Sequence, residues 1–225
     1  MIIRVLDFET CGLTPEVGGV VEIGWVDLVV CDGPTQIGDV HSTLINPGIP
    51  IPVEAMAVHH IRDRDVAIAP LATDVFAKIG VGVDVFAAHH VAFERAFFTG
   101  GDTPWICTYR CGLRVWPDSP SHSNQALRYF LGLELDDRAM PPHRAGPDAY
   151  VTAHILRGLL GAQPVEQLMN WTNEPALLIK CGFGKHRGKK WSEVPLDYLD
   201  WLVNKSDMDE DTKFTARHYL RKGMK

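Results

Sequence analysis

Apolar and polar positions along the first 50 residues alternate or run together as they do in strands. Residues 2–8 are rich in β-branched and apolar side chains and predict a buried strand. Turn-forming residues at 14–19 precede a second apolar strand over 20–30, and residues 41–46 predict a third. Three strands in succession predict an antiparallel meander at the front of a sheet.

The pattern changes after residue 50, where short helical and strand-like segments alternate. Strands that come first, followed by alternation, predict an α/β fold with a mixed five-stranded sheet flanked by helices. The later segments are helix 53–58, helix 71–79, strand 85–88, helix 92–98, strand 105–108, helix 124–131 and helix 148–160.

The character of the chain changes again between residues 161 and 175, through Gln163-Pro164 and Asn173-Glu174-Pro175. We therefore expect one large domain over residues 1–163 and a small C-terminal module over 175–225. Residues 176–225 contain 11 Lys or Arg and 7 Asp or Glu, whereas the preceding 175 residues contain 11 and 21. An acidic body with a basic module suits a protein that binds cations in one place and phosphates in another. Two domains with unrelated surface charge are the alternative.

Composition excludes several other classes of protein. No apolar run approaches the roughly 20 residues of a membrane span, and the first residues lack the pattern of a signal peptide, so no membrane partner is expected. The five cysteines are odd in number and scattered, which favours a reducing cytoplasm over a disulfide framework. A lone C-x3-C pair is weak support for zinc.

The first strand ends in two acids, Asp7 and Glu9. Residues two apart in a strand point to the same face, so the two carboxylates project together. Like charges this close need a compensating cation, and hard oxygen ligands favour magnesium or manganese. Two acids two residues apart occur often by chance. At the end of an apolar strand, however, burying them without a compensating role is energetically unfavourable.

Two further segments carry similar chemistry. His143 and Asp148 stand at the start of the long helical segment, where Asp148 could instead cap the helix and His143 could simply be solvated. Residues 88–94 end in Glu94 and could be an ordinary amphipathic helix start. Taken together, four acids and a histidine suit phosphodiester hydrolysis, in which two cations about 3.5–4 Å apart hold the phosphate and a histidine takes a proton from water.

These segments resemble the three motifs of the DEDDh 3′–5′ exonucleases, a superfamily with a ribonuclease H-like fold: Asp7-x-Glu9-Thr10-x-Gly12-Leu13, His89-x-x-x-Phe93-Glu94 and His143-x-x-x-x-Asp148. Further stretches, the C-terminal module included, are similar to one bacterial exodeoxyribonuclease group. The resemblance implies that two Mg²⁺ (or Mn²⁺ in their place) bind to Asp7, Glu9, Glu94 and Asp148, and that His143 is the general base.

One position departs from that family, which has aspartate where this chain has Glu94. The extra methylene adds about 1.5 Å of reach. We expect activity that is reduced or altered in metal preference, and loss of function is the alternative.

The resemblance also implies a substrate groove. It would be lined by Thr10, Gly12, Leu13, Met56 and His59, although Leu13 and Met56 are equally typical of a hydrophobic core.

In the C-terminal module, Lys185, Arg187 and Lys189 lie among glycines and aromatic residues, a composition that suits phosphates and bases. A charged hairpin turn packed on Trp191, Tyr198 and Trp201 is the alternative.

The function expected from these residues is 3′–5′ exonuclease activity on single-stranded DNA or 3′ overhangs. An enzyme that trims RNA ends is a second hypothesis, because the same acids and histidine could hydrolyse either DNA or RNA. A nucleic-acid-binding protein on a decayed nuclease fold is a third, motivated by Glu94. A homodimer is expected only by analogy with related enzymes.

Overall fold

The computed structural model describes residues 1–223 and is built around one mixed sheet of five strands in the order β3-β2-β1-β4-β5. β1 pairs antiparallel with β2 and β2 with β3, whereas β4 runs parallel to β1 and to β5. The mixed five-stranded sheet and its leading meander are therefore confirmed. The strands are β1 (Ile2–Thr10), β2 (Val20–Val29), β3 (Gln36–Leu44), β4 (Val85–Ala88) and β5 (Trp105–Cys107).

Helices cover both faces of this sheet, and hydrophobic burial against it holds them there. The described helices are α1 (Val53–His59), α2 (Asp63–Val66), α3 (Ala72–Ile79), α4 (Val91–Phe97), α5 (Thr108–Val115), α6 (Asn124–Phe130), α7 (Ala145–Ala162), α8 (Val165–Asn173), α9 (Leu196–Lys205) and α10 (Glu210–Gly223).

The two sheet faces bury different kinds of core. α7 packs on one face among aliphatic side chains such as Ile3 and Leu156. The other face is largely aromatic, with Phe86 against Phe98 and Trp105. Since α7 lies along its face for 18 residues, it is the element that fixes the meander relative to the rest of the chain.

Backbone contact between β2 and α7 is unusually close. A Cβ built on Gly24 would lie 2.1 Å from the backbone of Ala145, so no other residue fits there without moving the helix. Gly146 is less confined, with Ser42 and Val40 side-chain atoms 3.2 Å from its ideal Cβ position. Close glycine contact thus sets the depth of the start of α7 on the sheet.

Several sequence-based bounds need correction. α7 begins at Ala145 rather than Asp148, and β3 begins at Gln36 rather than residue 41. α5 was not predicted, because Thr108, Cys111 and Gly112 on its buried side are weak helix formers. α8 fills much of the segment in which we expected a domain boundary, and Pro164 is its N-cap rather than part of a linker.

A third cluster of buried side chains lies entirely beyond residue 175, around Trp191 and Leu202 from the turn before α9 and from α9 itself. Trp191 is fully buried, as the hairpin alternative requires, whereas Trp201 is 44% exposed and stacks on Tyr198, so Trp201 is not part of the core. Arg114 of α5 lies over the rings of Trp171 in α8 and Phe214 in α10, and so connects the C-terminal helix to the rest of the chain. Within residues 1–223, no helix is both long and apolar enough to cross a membrane.

Candidate active site

Three carboxylates meet where β1 ends. Asp7 and Glu9 lie directly across from Gly24 and Glu22 of β2, and their side chains project toward the face that α7 covers. Asp148, in the first turn of α7, completes the group: one carboxylate oxygen from each of the three residues lies within 4.8 Å of the others. The structure therefore brings Asp148 to two acids that precede it by 139 and 141 residues in the sequence.

Burial and mutual repulsion make this cluster a poor place for negative charge alone. Burial first, and then the charges of Asp148 and Glu9, raise the pKa of Asp7 well above its usual value. Burial and the charge of Asp148 raise the pKa of Glu9 to about 8. Hard oxygen ligands that repel one another at this spacing are the donor set of a divalent cation. The residues present therefore fit such a cation.

Glu94 approaches the cluster from α4, which follows β4 at the same edge of the sheet. Its side chain is 4% exposed, and within residues 1–223 its Oε2 has no hydrogen-bond partner. Burial raises the pKa of Glu94 to about 8. Glu94 lies outside the 4.8 Å group, yet its charge contributes to the raised pKa of Asp7. A buried carboxylate with a free oxygen, close enough for its charge to act on Asp7, also fits a cation.

Asp148 is held by hydrogen bonds from both sides. Its Oδ2 accepts the backbone N–H of His143 at 2.8 Å, and its Oδ1 accepts Nε2 of Gln125 at 3.0 Å. The first of these bonds ties Asp148 to the chain just before α7. Asp148 therefore supports the start of the helix and also belongs to the carboxylate cluster. Gln125 was not predicted, because α6 is remote in sequence and a lone glutamine carries no signal.

His143 stands at the open side of the cluster. Its side chain is exposed, and its backbone has a left-handed φ of 60°, which is uncommon for a residue with a Cβ. Burial raises the pKa of Asp148, and the neighbouring His143 acts in the opposite direction, so the imidazole lies within charge range of that carboxylate. An exposed imidazole close to the Asp148 carboxylate can exchange protons with solvent.

Glu22 is a fifth acid that sequence reasoning missed. It is 2% exposed, and both of its oxygens are occupied by donors from Arg144, Ser42 and the backbone of Ala145. Burial alone would raise the pKa of Glu22, but the hydrogen bonds from these three residues together lower it. With no free oxygen, Glu22 is paired within the protein rather than available to a cation.

A cavity of about 320 Å³ opens beside Glu9 between the end of β1 and α1. Its lining includes four residues expected in the substrate groove: Thr10, Gly12, Leu13 and His59. Leu13 is 82% exposed, so its alternative role in the core is wrong.

Met56 does not line the cavity. It packs instead against the small core beneath α1. Phe93 does line the cavity and was not predicted.

His59, which lines this cavity, offers a buried hydrogen-bond donor. It is 2% exposed, and its Nδ1 accepts the backbone N–H of Ile61 at 3.0 Å. Within residues 1–223 its Nε2 has no partner. His89 of the second motif is different: its two ring nitrogens contact Thr108 and His122 at 3.0 and 2.8 Å, so it supports the loop before α4.

The predicted cations of the C-terminal module lie on a tight turn. Lys185, Arg187 and Lys189 are all exposed, and positive φ values at Gly184 and Gly188 shape the turn. Nζ of Lys185 lies 5.2 Å from the ring centroid of Tyr198.

Comparison with known proteins bears directly on this site. A profile described as exonuclease matches residues 5–156, which include the four acids and the histidine of the three motifs. The chain belongs to the exonuclease family. Exodeoxyribonuclease 10 of Escherichia coli (strain K12) is 36% identical over 229 residues, covering 97% of this chain and 99% of that protein. Similarity to this relative therefore continues well beyond the residues that the family profile matches.

Solved structures agree with this family. Exonuclease X in complex with 5′ overhanging duplex DNA has a TM-score of 0.65 and 34% identity, and covers 76% of this chain and 99% of its own. The nuclease domain of a DEDDh family member bound to rAMP has a TM-score of 0.59 at 18% identity, over 72% of this chain and 92% of its own, which shows a shared fold. The family expected from the three motifs and the ribonuclease H-like fold are thus confirmed.

Proposed function

We propose that this protein is a 3′–5′ exodeoxyribonuclease that hydrolyses phosphodiester bonds at the 3′ ends of single strands or overhangs. The observation that carries the proposal is the group of three carboxylates within 4.8 Å, whose ionisation is unfavourable until a cation joins them. DNA is the proposed substrate because the relative that matches along 97% of this chain is an exodeoxyribonuclease.

The cation site would consist of Asp7, Glu9, Glu94 and Asp148, with Mg²⁺ as the natural ion and Mn²⁺ as a substitute. Two such ions, when bound, would lower the pKa of a water and neutralise charge on the phosphate. The residues of the chain then have distinct roles. His143 accepts the proton of the attacking water on an imidazole nitrogen, from which solvent removes it. His143 N–H and Gln125 hold the Asp148 carboxylate in orientation.

The cavity beside Glu9 is the proposed site of the terminal nucleotide. Leu13 and Phe93 offer apolar surface to a base, and Leu13 is exposed rather than part of the core. Thr10 Oγ1 donates to the Gly12 carbonyl at 2.7 Å, which fixes the loop that bears Leu13. His59 can hydrogen-bond the nucleotide through its Nε2, which has no partner within residues 1–223.

We infer that residues 1–163 form the nuclease domain and residues 175–225 a small DNA-contacting module. The separate buried cluster around Trp191 supports a module with its own core. The exposed cations Lys185, Arg187 and Lys189 supply the phosphate contacts. The five unpaired cysteines are in keeping with a reducing cytoplasm. A homodimer remains an expectation from analogy alone.

The testing experiment measures metal-dependent release of nucleotides from 3′-labelled single-stranded DNA, a 3′-overhang duplex and the matching RNA. Wild-type protein should degrade DNA in Mg²⁺ and show no turnover in EDTA. Asp7→Ala should abolish cleavage while the protein stays folded, because it removes a repelling buried charge as well as a cation ligand. Asp27→Ala, on the same strand pair but away from the cluster, is the matched control and should retain turnover.

Other outcomes separate the competing functions. Faster turnover of RNA than of DNA would establish an RNA-trimming enzyme in place of the exodeoxyribonuclease. DNA binding without turnover in Mg²⁺ or Mn²⁺ would establish a decayed nuclease, the function favoured by Glu94 in place of the family aspartate. Normal turnover by Asp7→Ala would overturn the assignment of the cation site.

A further inference from the structure

One buried carboxylate, that of Glu22, collects four hydrogen bonds beside the acid cluster. Arg144 donates two of them, from Nε at 2.8 Å and Nη2 at 2.7 Å, in a fork that spans both oxygens. Ser42 Oγ donates a third at 2.7 Å, and the backbone N–H of Ala145 a fourth at 3.1 Å. Glu22 therefore has no oxygen left for a cation or a substrate.

The hydrogen-bond partners of Glu22 show which segment of the chain it holds in place. Arg144 follows His143 directly, and Ala145 is the first residue of α7, so both donors belong to the loop that ends in the helix bearing Asp148. Glu22 itself lies opposite Glu9 in the β1–β2 pairing. One carboxylate thus connects the strand that carries the first two acids to the segment that carries the histidine and the last acid.

A further hydrogen bond, within the segment itself, and close packing against β2 also hold this segment in place. His143 N–H reaches Asp148 only because the chain before α7 turns back with His143 at a φ of 60°. Gly24 lets α7 approach β2 so closely that any Cβ would collide with Ala145. Packing sets the depth of the helix, while the Arg144 fork sets the course of the loop that enters it.

We propose that the Glu22–Arg144 ion pair is a positioning unit that orients His143 and Asp148 for hydrolysis. This inference rests on the nuclease function proposed above. Neither side chain touches the reacting atoms. Each acts through the loop of residues 143–145, as groups that orient metal ligands do in general. Loss of the pair should therefore affect turnover and cation affinity much more than DNA affinity.

The test uses Glu22→Gln, which keeps size and shape but leaves one acceptor oxygen for four donors. We expect kcat to fall about 10- to 100-fold, the usual effect of removing a partner that orients a metal ligand, with KM for single-stranded DNA within about twofold of wild type. Mn²⁺ affinity, measured by titration without DNA, should fall over a similar range. In the metal-free protein, amide hydrogen exchange of residues 143–148 should become faster.

A matched control lies on the same strand pair. Arg4 and Asp27 also form a forked ion pair, with both N–O distances at 2.7 Å, but on the opposite face of the sheet. Asp27→Asn should lower thermal stability while kcat, Mn²⁺ affinity and exchange of residues 143–148 stay at wild-type values. If Glu22→Gln behaves in the same way, the pair is only structural and the proposal is overturned.

Arg144→Lys provides a milder second variant, for use if Glu22→Gln does not fold. Lysine keeps the charge but cannot span both oxygens, so its kcat should lie between those of wild type and Glu22→Gln. An unchanged kcat and Mn²⁺ affinity in Arg144→Lys would likewise overturn the proposal. A wild-type protein without nuclease activity would refute the proposed function instead, and the exchange and Mn²⁺ measurements would still decide whether the pair positions the loop.

Discussion

Replacing Glu9 by glutamine should stabilise the cation-free protein at alkaline pH. The pKa of Glu9 is raised from 4.5 to about 8 in the folded protein. Between those values the folded state retains a proton that the unfolded state has released, so stability falls as the pH rises through this window. At 1.36 kcal/mol per pKa unit, this difference in pKa lowers the free energy of unfolding by about 4 kcal/mol at pH 8 and by about 1 kcal/mol at pH 5, relative to a side chain that does not titrate. The Glu9→Gln variant avoids this cost because an amide does not ionise.

Thermal unfolding in EDTA at pH 5 and pH 8 measures this effect. One kcal/mol shifts Tm by about 2–4 °C in a chain of 150–250 residues, so Glu9→Gln should exceed wild type by about 8–16 °C at pH 8 and by much less at pH 5. Adding Mg²⁺ at pH 8 should raise Tm in wild type and reduce the difference, since a bound cation replaces the lost proton. Equal Tm values for the two proteins at pH 8 in EDTA would refute the electrostatic account of the cluster.

Three further changes test the roles assigned to individual side chains. His143→Ala should lower turnover about 10²- to 10⁴-fold, as loss of a general base does, with little change in Tm because the imidazole is exposed; unchanged turnover near neutral pH would contradict that role. Glu94→Asp should keep turnover within about tenfold of wild type and shift the ratio of Mg²⁺ to Mn²⁺ activity, whereas Glu94→Gln should lower turnover by at least about 100-fold; equal activity of all three in both metals would remove Glu94 from the site. Neutralising the turn cations together should flatten the salt dependence of binding by about 0.7 per lost contact on single strands and about 0.9 on duplex, with turnover at saturating DNA unchanged; an unaltered slope would show that they form only a solvated turn. The cations in that variant are Lys185, Arg187, Lys189 and Lys190.

Much of this fold could be predicted from short-range patterns in the sequence. β1, β2 and β4 are rich in buried apolar and β-branched residues because both faces of the sheet are covered, so their positions follow from the sequence. α5 and α8 were missed for opposite reasons. α5 contains weak helix formers that burial overrides, and α8 begins at a proline that also marks linkers.

The acids of the candidate site could be named from the sequence, but the groups that hold them could not. Asp7, Glu9 and Asp148 stand at element ends, where a motif makes them visible. Glu22 stands inside a strand, and its partner Arg144 is 122 residues away, so only the fold shows that they meet. No motif in the sequence marks Gln125 either, although its Nε2 lies 3.0 Å from the Asp148 carboxylate.

The position of Glu94 bears on whether its departure from the family matters. An acid that no longer served the site would be expected to turn toward solvent, because burying an unpaired carboxylate is costly. Glu94 instead stays 4% exposed with an oxygen that has no partner within residues 1–223, and its charge acts on Asp7. Glu94 therefore remains buried at an energetic cost, which a bound cation would offset. The substitution therefore changes the reach of the fourth acid, while its charge still faces the cluster.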